Sequence, residues 1–338
     1  MKHQILALAV AALSFTACSN EDNISQDYLA DTPIKLNVSV DEPTTRAGYS
    51  DADKPTGFVL VVAHSNSLTD KYNYTVWAEG ENNNWKTYNF YEYYDYATEK
   101  VTGIKKEVTM LWANMKDEVT IFALSDVDYS TYCDIRKHPT DQTTPDALKK
   151  ADFLVMPNTQ VPPTQDGIKV AFKHAMSKIN LTIELGDEYE FTADVDKKIT
   201  DVKIDGSKVK AYYEFKSSTD DPQFIFSSHY GDPTPITPYH TGTTPYSKTD
   251  GVITKASATY EAILIPQTIG SGNFTVSFKV DGKLYEWAYN NEAGLTLASN
   301  TAYTLKLIAG DDKVQPVSFS VAKWNEGNGP EGEKKETD

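Results

Sequence analysis

In "PIKLNVSV" (33–40), Ile34, Leu36, Val38 and Val40 alternate with Lys35, Asn37 and Ser39. Period-two alternation sets one face of a strand against a core and the other in water. "GFVLVVAHS" (57–65) is a more continuously apolar strand, and "KYNYTVWAEGENNNWKTYNFYEYYDY" (71–96) reads as a hairpin around 80–84 with aromatic arms. "KEVTMLWAN" (106–114), "EVTIFALSD" (118–126) and "DFLVMPN" (152–158) predict three further strands. In "IKVAFKHAMSKINLTIEL" (168–185), residues 168–174 alternate, 175–177 interrupt, and Ile179, Leu181, Ile183 and Leu185 alternate again.

The second half continues the rhythm. "KKITDVKIDGSKVKAYYEF" (197–215) predicts a strand pair turning at Asp205 and Gly206. A Pro-, Thr-, Gly- and Tyr-rich stretch over 228–250 reads as a long loop. "ATYEAILIPQ", "NFTVSFKVDGKLYEWAY" and "TAYTLKLIAGDDKVQPVSFSVAKW" follow, the last with Val317, Phe319 and Val321 alternating ahead of Trp324. Helix signals are confined to "PDALKKA", one turn with Asp146 near its start. Many short strands with turns between them predict an all-β chain of two β-sandwiches with little helix, dividing near 165–175. We set the bodies at 47–170 and 171–324, with a flexible, charged, Gly-rich tail over 325–338.

Composition narrows the partners. The 338 residues carry a formal net charge of −16, which disfavours nucleic acid. Tyr is abundant at 21, in keeping with a pleated, half-buried surface.

At the N-terminus, Lys2 and His3 precede the apolar run "ILALAVAAL" (5–13), and then "SFTACSNEDN". A basic start, a short apolar stretch and small residues read as an export signal over 1–17. The run is shorter than the roughly 20 residues a bilayer span needs. "FTAC" resembles a bacterial lipobox, which makes Cys18 the expected site of lipidation. Cys133, in "STYCDI", is then left as a buried thiol.

Constellations for chemistry are sparse. The six histidines form no HExxH or HxH pattern, and no GxSxG, Walker loop or GxGxxG occurs. Asp126, Asp128 and Asp134 lack the Gly and closing Glu of a calcium loop. His174, inside a strand pattern, reads as a packing or hydrogen-bonding residue. No cofactor, no metal and no catalytic residue is expected. The aromatic hairpin offers Trp77, Trp85, Tyr91 and Tyr93 as candidate glycan contacts, set against cross-strand pairing and core filling.

The chain has two arginines, Arg46 and Arg136, beside thirty lysines. Arg46 lies in "TTRAG", a small, polar, extended stretch of the kind a protease enters. A cut there leaves Ala47 as the new N-terminus and releases 18–46 with the strand over 34–40. Loss of a strand leaves an unpaired edge and an apolar groove, which an alternating strand from a neighbour can fill. Residues 314–324, carrying Val317, Phe319, Val321 and Trp324, are the candidate donor.

The lipobox Cys18, the strand 34–40, "TTRAG", the mid-chain "FKHAMSKINLTIEL" and the closing "VSFSVAKWNEG" together resemble the fimbrillin family of Bacteroidales type V pili. The resemblance implies two transthyretin-like sandwiches of Greek-key type in a stalk or tip subunit that serves adhesion. It further implies export as a lipoprotein held in the outer membrane through Cys18, and trimming after Arg46 by an Arg-specific surface protease. Assembly with other pilus subunits into a fimbrium at the cell surface then proceeds by strand exchange. The alternative is a surface lipoprotein or pilus anchor that does not polymerise and binds a host or bacterial glycan or protein.

Overall fold

The computed structural model describes residues 30–40, 49–50, 52–64, 70–81, 84–95, 100–114, 116–125, 135–186, 189, 198–212, 231–249, 252–310 and 313–324. Eight strands form the first sheet: β1 (Leu36–Val40), β2 (Gly57–His64), β3 (Tyr74–Glu81), β4 (Asn84–Asp95), β5 (Lys100–Glu107), β6 (Val119–Ser125), β8 (Leu154–Val161) and β9 (Ile168–His174). Their order is β1-β9-β8-β6-β2-β3-β4-β5. β1 and β9 run parallel. In a flat sheet β2 and β9, three ladders apart, would be separated by about 14 Å. The rings of Phe58 on β2 and Phe172 on β9 have centroids 5.2 Å apart. The sheet therefore folds over on itself and encloses a core of Phe58, Leu60, Val76, Ile121, Val170 and Phe172.

A second sheet orders β13 (Tyr239–Thr244), β16 (Ser257–Leu264), β10 (Ser177–Leu185), β21 (Thr301–Ala309) and β22 (Val314–Lys323). Facing it are β11 (Ile199–Asp205), β18 (Thr275–Val280) and β19 (Lys283–Ala288). Ile179, Leu181 and Ile183 from β10 meet Val276, Phe278 and Val280 from β18 in the second core. Three small ribbons complete the strands: β7 (Ile135–Lys137) with β12 (Lys210–Tyr212), β14 (Ser247–Thr249) with β15 (Val252–Thr254), and β17 (Gln267–Ile269) with β20 (Leu295–Leu297).

Among the described residues there is one α-helix, α1 (Pro145–Ala151). The Thr144 side chain caps it by accepting from the Ala147 amide, Pro145 stands in the first turn where no N–H is needed, and Asp146 faces the N-terminal dipole. A third apolar cluster lies between the two cores. It joins Leu148 and Ala151 of α1 to Phe122 and Val155, to Ile263 and Ile265, and to Trp324.

The all-β expectation stands, with local differences. The predicted strand over 106–114 ends at Glu107, because Met110 and Trp112 instead bond Ile34 and Thr32. Among the described residues, the predicted pairing of the two arms of 197–215 does not form. Gly206 does turn the chain, at φ +93 and in close contact with the Asn273 carbonyl, but β11 then pairs with β18 and β12 with β7. The predicted loop over 228–250 contains β13 and β14.

Phe58 is fully buried between Trp85 and Phe172. Phe58→Ala is expected to cost about 3–5 kcal/mol. A urea titration should show this as a lower midpoint with an unchanged slope.

Candidate functional site

β1 is an edge strand whose side chains behave as core. Leu36, Val38 and Val40 retain 5%, 3% and 3% of their exposure, and Ile34 retains 8%. Its ladder to β9 sets Leu36 opposite Ile168, Val38 opposite Val170 and Val40 opposite Phe172. On the other side the Ile34 amide donates to the Met110 carbonyl at 2.9 Å, and the Trp112 amide to the Thr32 carbonyl at 3.0 Å. Gly167 makes the close approach possible. It sits at φ +89, and a Cβ there would meet the Lys35 carbonyl oxygen at 2.5 Å.

β22 presents the opposite balance. Its backbone is paired with β21 from Val314 opposite Ala309 to Lys323 opposite Thr301. Its side chains are poorly covered, with Val317 51% and Val321 58% exposed. Phe319 is half-buried against Tyr289 and Tyr303, with ring centroids 5.2 and 6.1 Å away. The register shifts opposite Lys306 and Leu307, which leaves Val317 as the extra residue of a bulge beside Pro316.

Trp324, directly after β22, is the exception, at 2% exposure. Its ring stacks on His174 with centroids 4.3 Å apart and 9° between planes. His174 Nδ1 donates to Asp152, 2.9 Å from Oδ1 and 3.1 Å from Oδ2. A carboxylate accepts only, so this contact fixes the proton on Nδ1. Asp152 Oδ2 also accepts the Tyr49 amide at 3.0 Å. The Lys178 ammonium lies 5.9 Å from the Trp324 ring centroid and 3.2 Å from Glu261 Oε2. Burial lowers the pKa of Lys178, against the pull of Glu261, and burial raises that of Glu261, against the pull of Lys178. Asp152, His174, Lys178 and Trp324 are all nearly inaccessible, so this is a charged network inside the apolar cluster between the two cores.

A family model described as fimbrillin-like matches residues 62–324. The chain belongs to the fimbrillin-like family. No curated protein matches it. Among solved structures, a candidate cell adhesion protein from Bacteroides ovatus is 13% identical, with 87% of this chain and 98% of that one covered and a TM-score of 0.54. A candidate cell adhesion protein from Bacteroides uniformis is 17% identical, covering 87% and 98%, at a TM-score of 0.49. The C-terminally truncated tip fimbrial protein Mfa3 from Porphyromonas gingivalis is 11% identical, covering 80% and 95%, at 0.42. The Bacteroides ovatus structure supports the fold assignment.

In this fimbrillin-like chain the structure brings together only some of the residues expected from sequence. Cys18, Arg46, Ala47, Cys133, Asp126, Asp128 and Asp134 lie outside the described residues. Arg136 is within β7, opposite Ala211. Trp85 packs edge-on against Phe58 at 5.0 Å and belongs with the first core. Trp77 is half-buried across from Tyr88, with the Lys105 ammonium 5.8 Å from each ring centroid. Tyr91 and Tyr93 fall on β4, and their side chains lie outside the described part of the structure. Sequence reasoning missed Asp152, Lys178 and Glu261, since nothing local distinguishes them from surface carboxylates and lysines on strands.

Lys178→Met would leave the Glu261 carboxylate buried without its cation. It is expected to destabilise the protein by about 3–5 kcal/mol. Adding Glu261→Leu should recover most of that loss. Chemical denaturation of both single variants and the double variant measures the coupling.

Proposed function

We propose that this chain is an exported pilus subunit that assembles by giving up its first strand and accepting a neighbour's last one. The carrying observation is the contrast between β1 and β22. β1 buries Leu36, Val38 and Val40 almost completely, yet it precedes Arg46 and would leave with the propeptide. β22 is held by backbone hydrogen bonds while Val317 and Val321 stay half-exposed. Straightened, without its bulge, β22 lines Val317, Phe319 and Val321 along one face at the spacing of Leu36, Val38 and Val40. Burying a fully exposed apolar side chain in such a slot contributes about 1.5–3 kcal/mol, and these half-exposed ones contribute about half of that. The exchange therefore has a hydrophobic driving force and needs no cofactor.

The rest of the pathway follows the same reading. Cys18 carries the lipid that holds the precursor in the outer membrane. An Arg-specific protease at the cell surface cuts after Arg46 and leaves Ala47 first. The mature subunit joins other subunits in a fimbrium that serves adhesion. The competing Arg136 sits in a hydrogen-bonded strand, which a protease enters only after local unfolding.

Digestion of the chain from residue 18 onward with an Arg-specific protease tests this reading. We expect one new N-terminus at Ala47 and a ladder of heat-sensitive multimers on an unboiled gel. Arg46→Ala should stay monomeric with an unchanged melting temperature. Clean production of the Ala47 species with no ladder, at any protein concentration, would remove strand exchange. A lipoprotein that does not polymerise would then be the better reading.

A further inference from the structure

If β22 is the donor strand, something must keep it at home in the unprocessed subunit. The backbone ladder with β21 is one restraint, and the burial of Trp324 is another. At the opposite end the strand is tied by a turn in which the Gly310 amide donates to the Lys313 carbonyl at 3.0 Å. A segment anchored at both ends can bulge outward, but it cannot be laid as an extended strand into another molecule. Trp324 must therefore come out before β22 can be handed over.

What holds Trp324 is specific. Its ring lies flat on His174, and its amide donates to the Asn300 carbonyl at 2.9 Å. His174 is oriented by Asp152. Among the described residues, Trp324 Nε1 and His174 Nε2 are both buried without a hydrogen-bond partner. A buried N–H with no acceptor opposes its own burial. The ring is thus held by stacking and apolar contact, against a standing polar cost.

The same network reaches the processing site. Tyr49 is three residues after Arg46, and its amide is bound by Asp152 Oδ2. Asp53, a little further on, pairs with Lys149 of α1, the helix that Asp152 terminates. His174 is the last residue of β9, the strand on which β1 is seated. A cut after Arg46 therefore acts on the network twice. It leaves Tyr49 two residues from a free, charged N-terminus, and it severs the covalent link that keeps β1 on the strand that ends in His174.

We propose that Asp152, His174 and Trp324 form a latch that retains β22 in its own sheet until cleavage after Arg46 loosens it through Tyr49 and β9. The inference rests on the strand-exchange reading, but strand release can be measured apart from assembly. Hydrogen exchange of peptides from 314–323, read by mass spectrometry on the chain from residue 18 onward, reports release directly. In the uncut protein these amides should be protected, and in the cleaved monomer, separated from any multimer, their exchange should speed by about tenfold or more. Trp324→Ala should do the same without cleavage, and Trp324→Phe, which keeps a stacking ring, should stay near the wild type. If Trp324→Ala also exposes 257–264 in β16, the whole fold has loosened. The decision then falls to Asp152→Asn, which should speed 314–323 selectively.

Unchanged protection of 314–323 in a folded Trp324→Ala chain, or in cleaved wild-type monomer, would overturn the latch. So would unchanged protection in Asp152→Asn where Trp324→Ala does not fold. Release of 314–323 on cleavage without any multimer ladder would keep the latch and remove strand exchange. A ladder that forms while 314–323 stays protected in the remaining cleaved monomer would remove the latch and keep assembly.

Discussion

The first core is closed by a strand that lies upstream of Arg46. Ile34, Leu36, Val38 and Val40 contribute on the order of 6–12 kcal/mol of burial, taking about 1.5–3 kcal/mol for each. A whole domain is stable by only about 5–15 kcal/mol. The fold therefore cannot treat β1 as dispensable trim. If the strand leaves, Ile168, Val170 and Phe172 face water along an unpaired edge, and the domain is close to its limit of stability until something equivalent arrives. This constraint links loss and replacement. A groove of that kind cannot persist empty, so a subunit that sheds β1 needs a partner within reach.

The other end of the chain is arranged to match. Backbone pairing and side-chain burial, which usually go together in a strand, are separated in β22. Hydrogen bonds along a ladder are each worth about 0.5–1.5 kcal/mol net, because water offers the same bonds when they open. Apolar burial has no such substitute. A strand kept mainly by its backbone is thus the easier one to detach, and beyond the partly buried Val314 and Phe319 its one nearly inaccessible side-chain attachment is Trp324. That point lies in the cluster joining the two cores, beside the end of β9. The acceptor edge and the candidate donor are in this way connected inside one subunit.

Much of this was legible in the alternation of the sequence. The strands at 34–40 and 177–185 show their buried faces outright, since period-two hydrophobicity is a property of the strand alone. The interruption at 175–177 was also visible, although its consequence was not. β9 and β10 look like consecutive arms of one sheet but belong to two, because Ala175 and Met176 are buried in the cluster between the cores. The β7 and β12 ribbon joins residues more than seventy positions apart, and no local signal encodes such a partner. His174 could be read as a hydrogen-bonded strand residue. Its partners could not, because Asp152 sits after a helix and Trp324 arrives from the far end of the chain. Lys178 and Glu261 meet through the β10 and β16 register alone. The site is a product of topology, whereas the strands that carry it are products of pattern.

An exposed apolar edge strand is an aggregation hazard, and β22 carries several of the devices that blunt one. Pro316 removes a donor from the edge, the bulge at Val317 breaks the flat face, and Lys323 places a charge at its end. The formal charge of −16 adds a general repulsion between copies. These devices act on a strand in its bent, docked form. Straightening removes the bulge and aligns Val317 with Phe319 and Val321, which turns a guarded edge into a regular apolar face. A shape-dependent guard of this kind would let one sequence be inert in its own sheet and adhesive in another. Such a transition would depend on what holds the docked form, and the buried ring of Trp324 lies outside the ladder altogether.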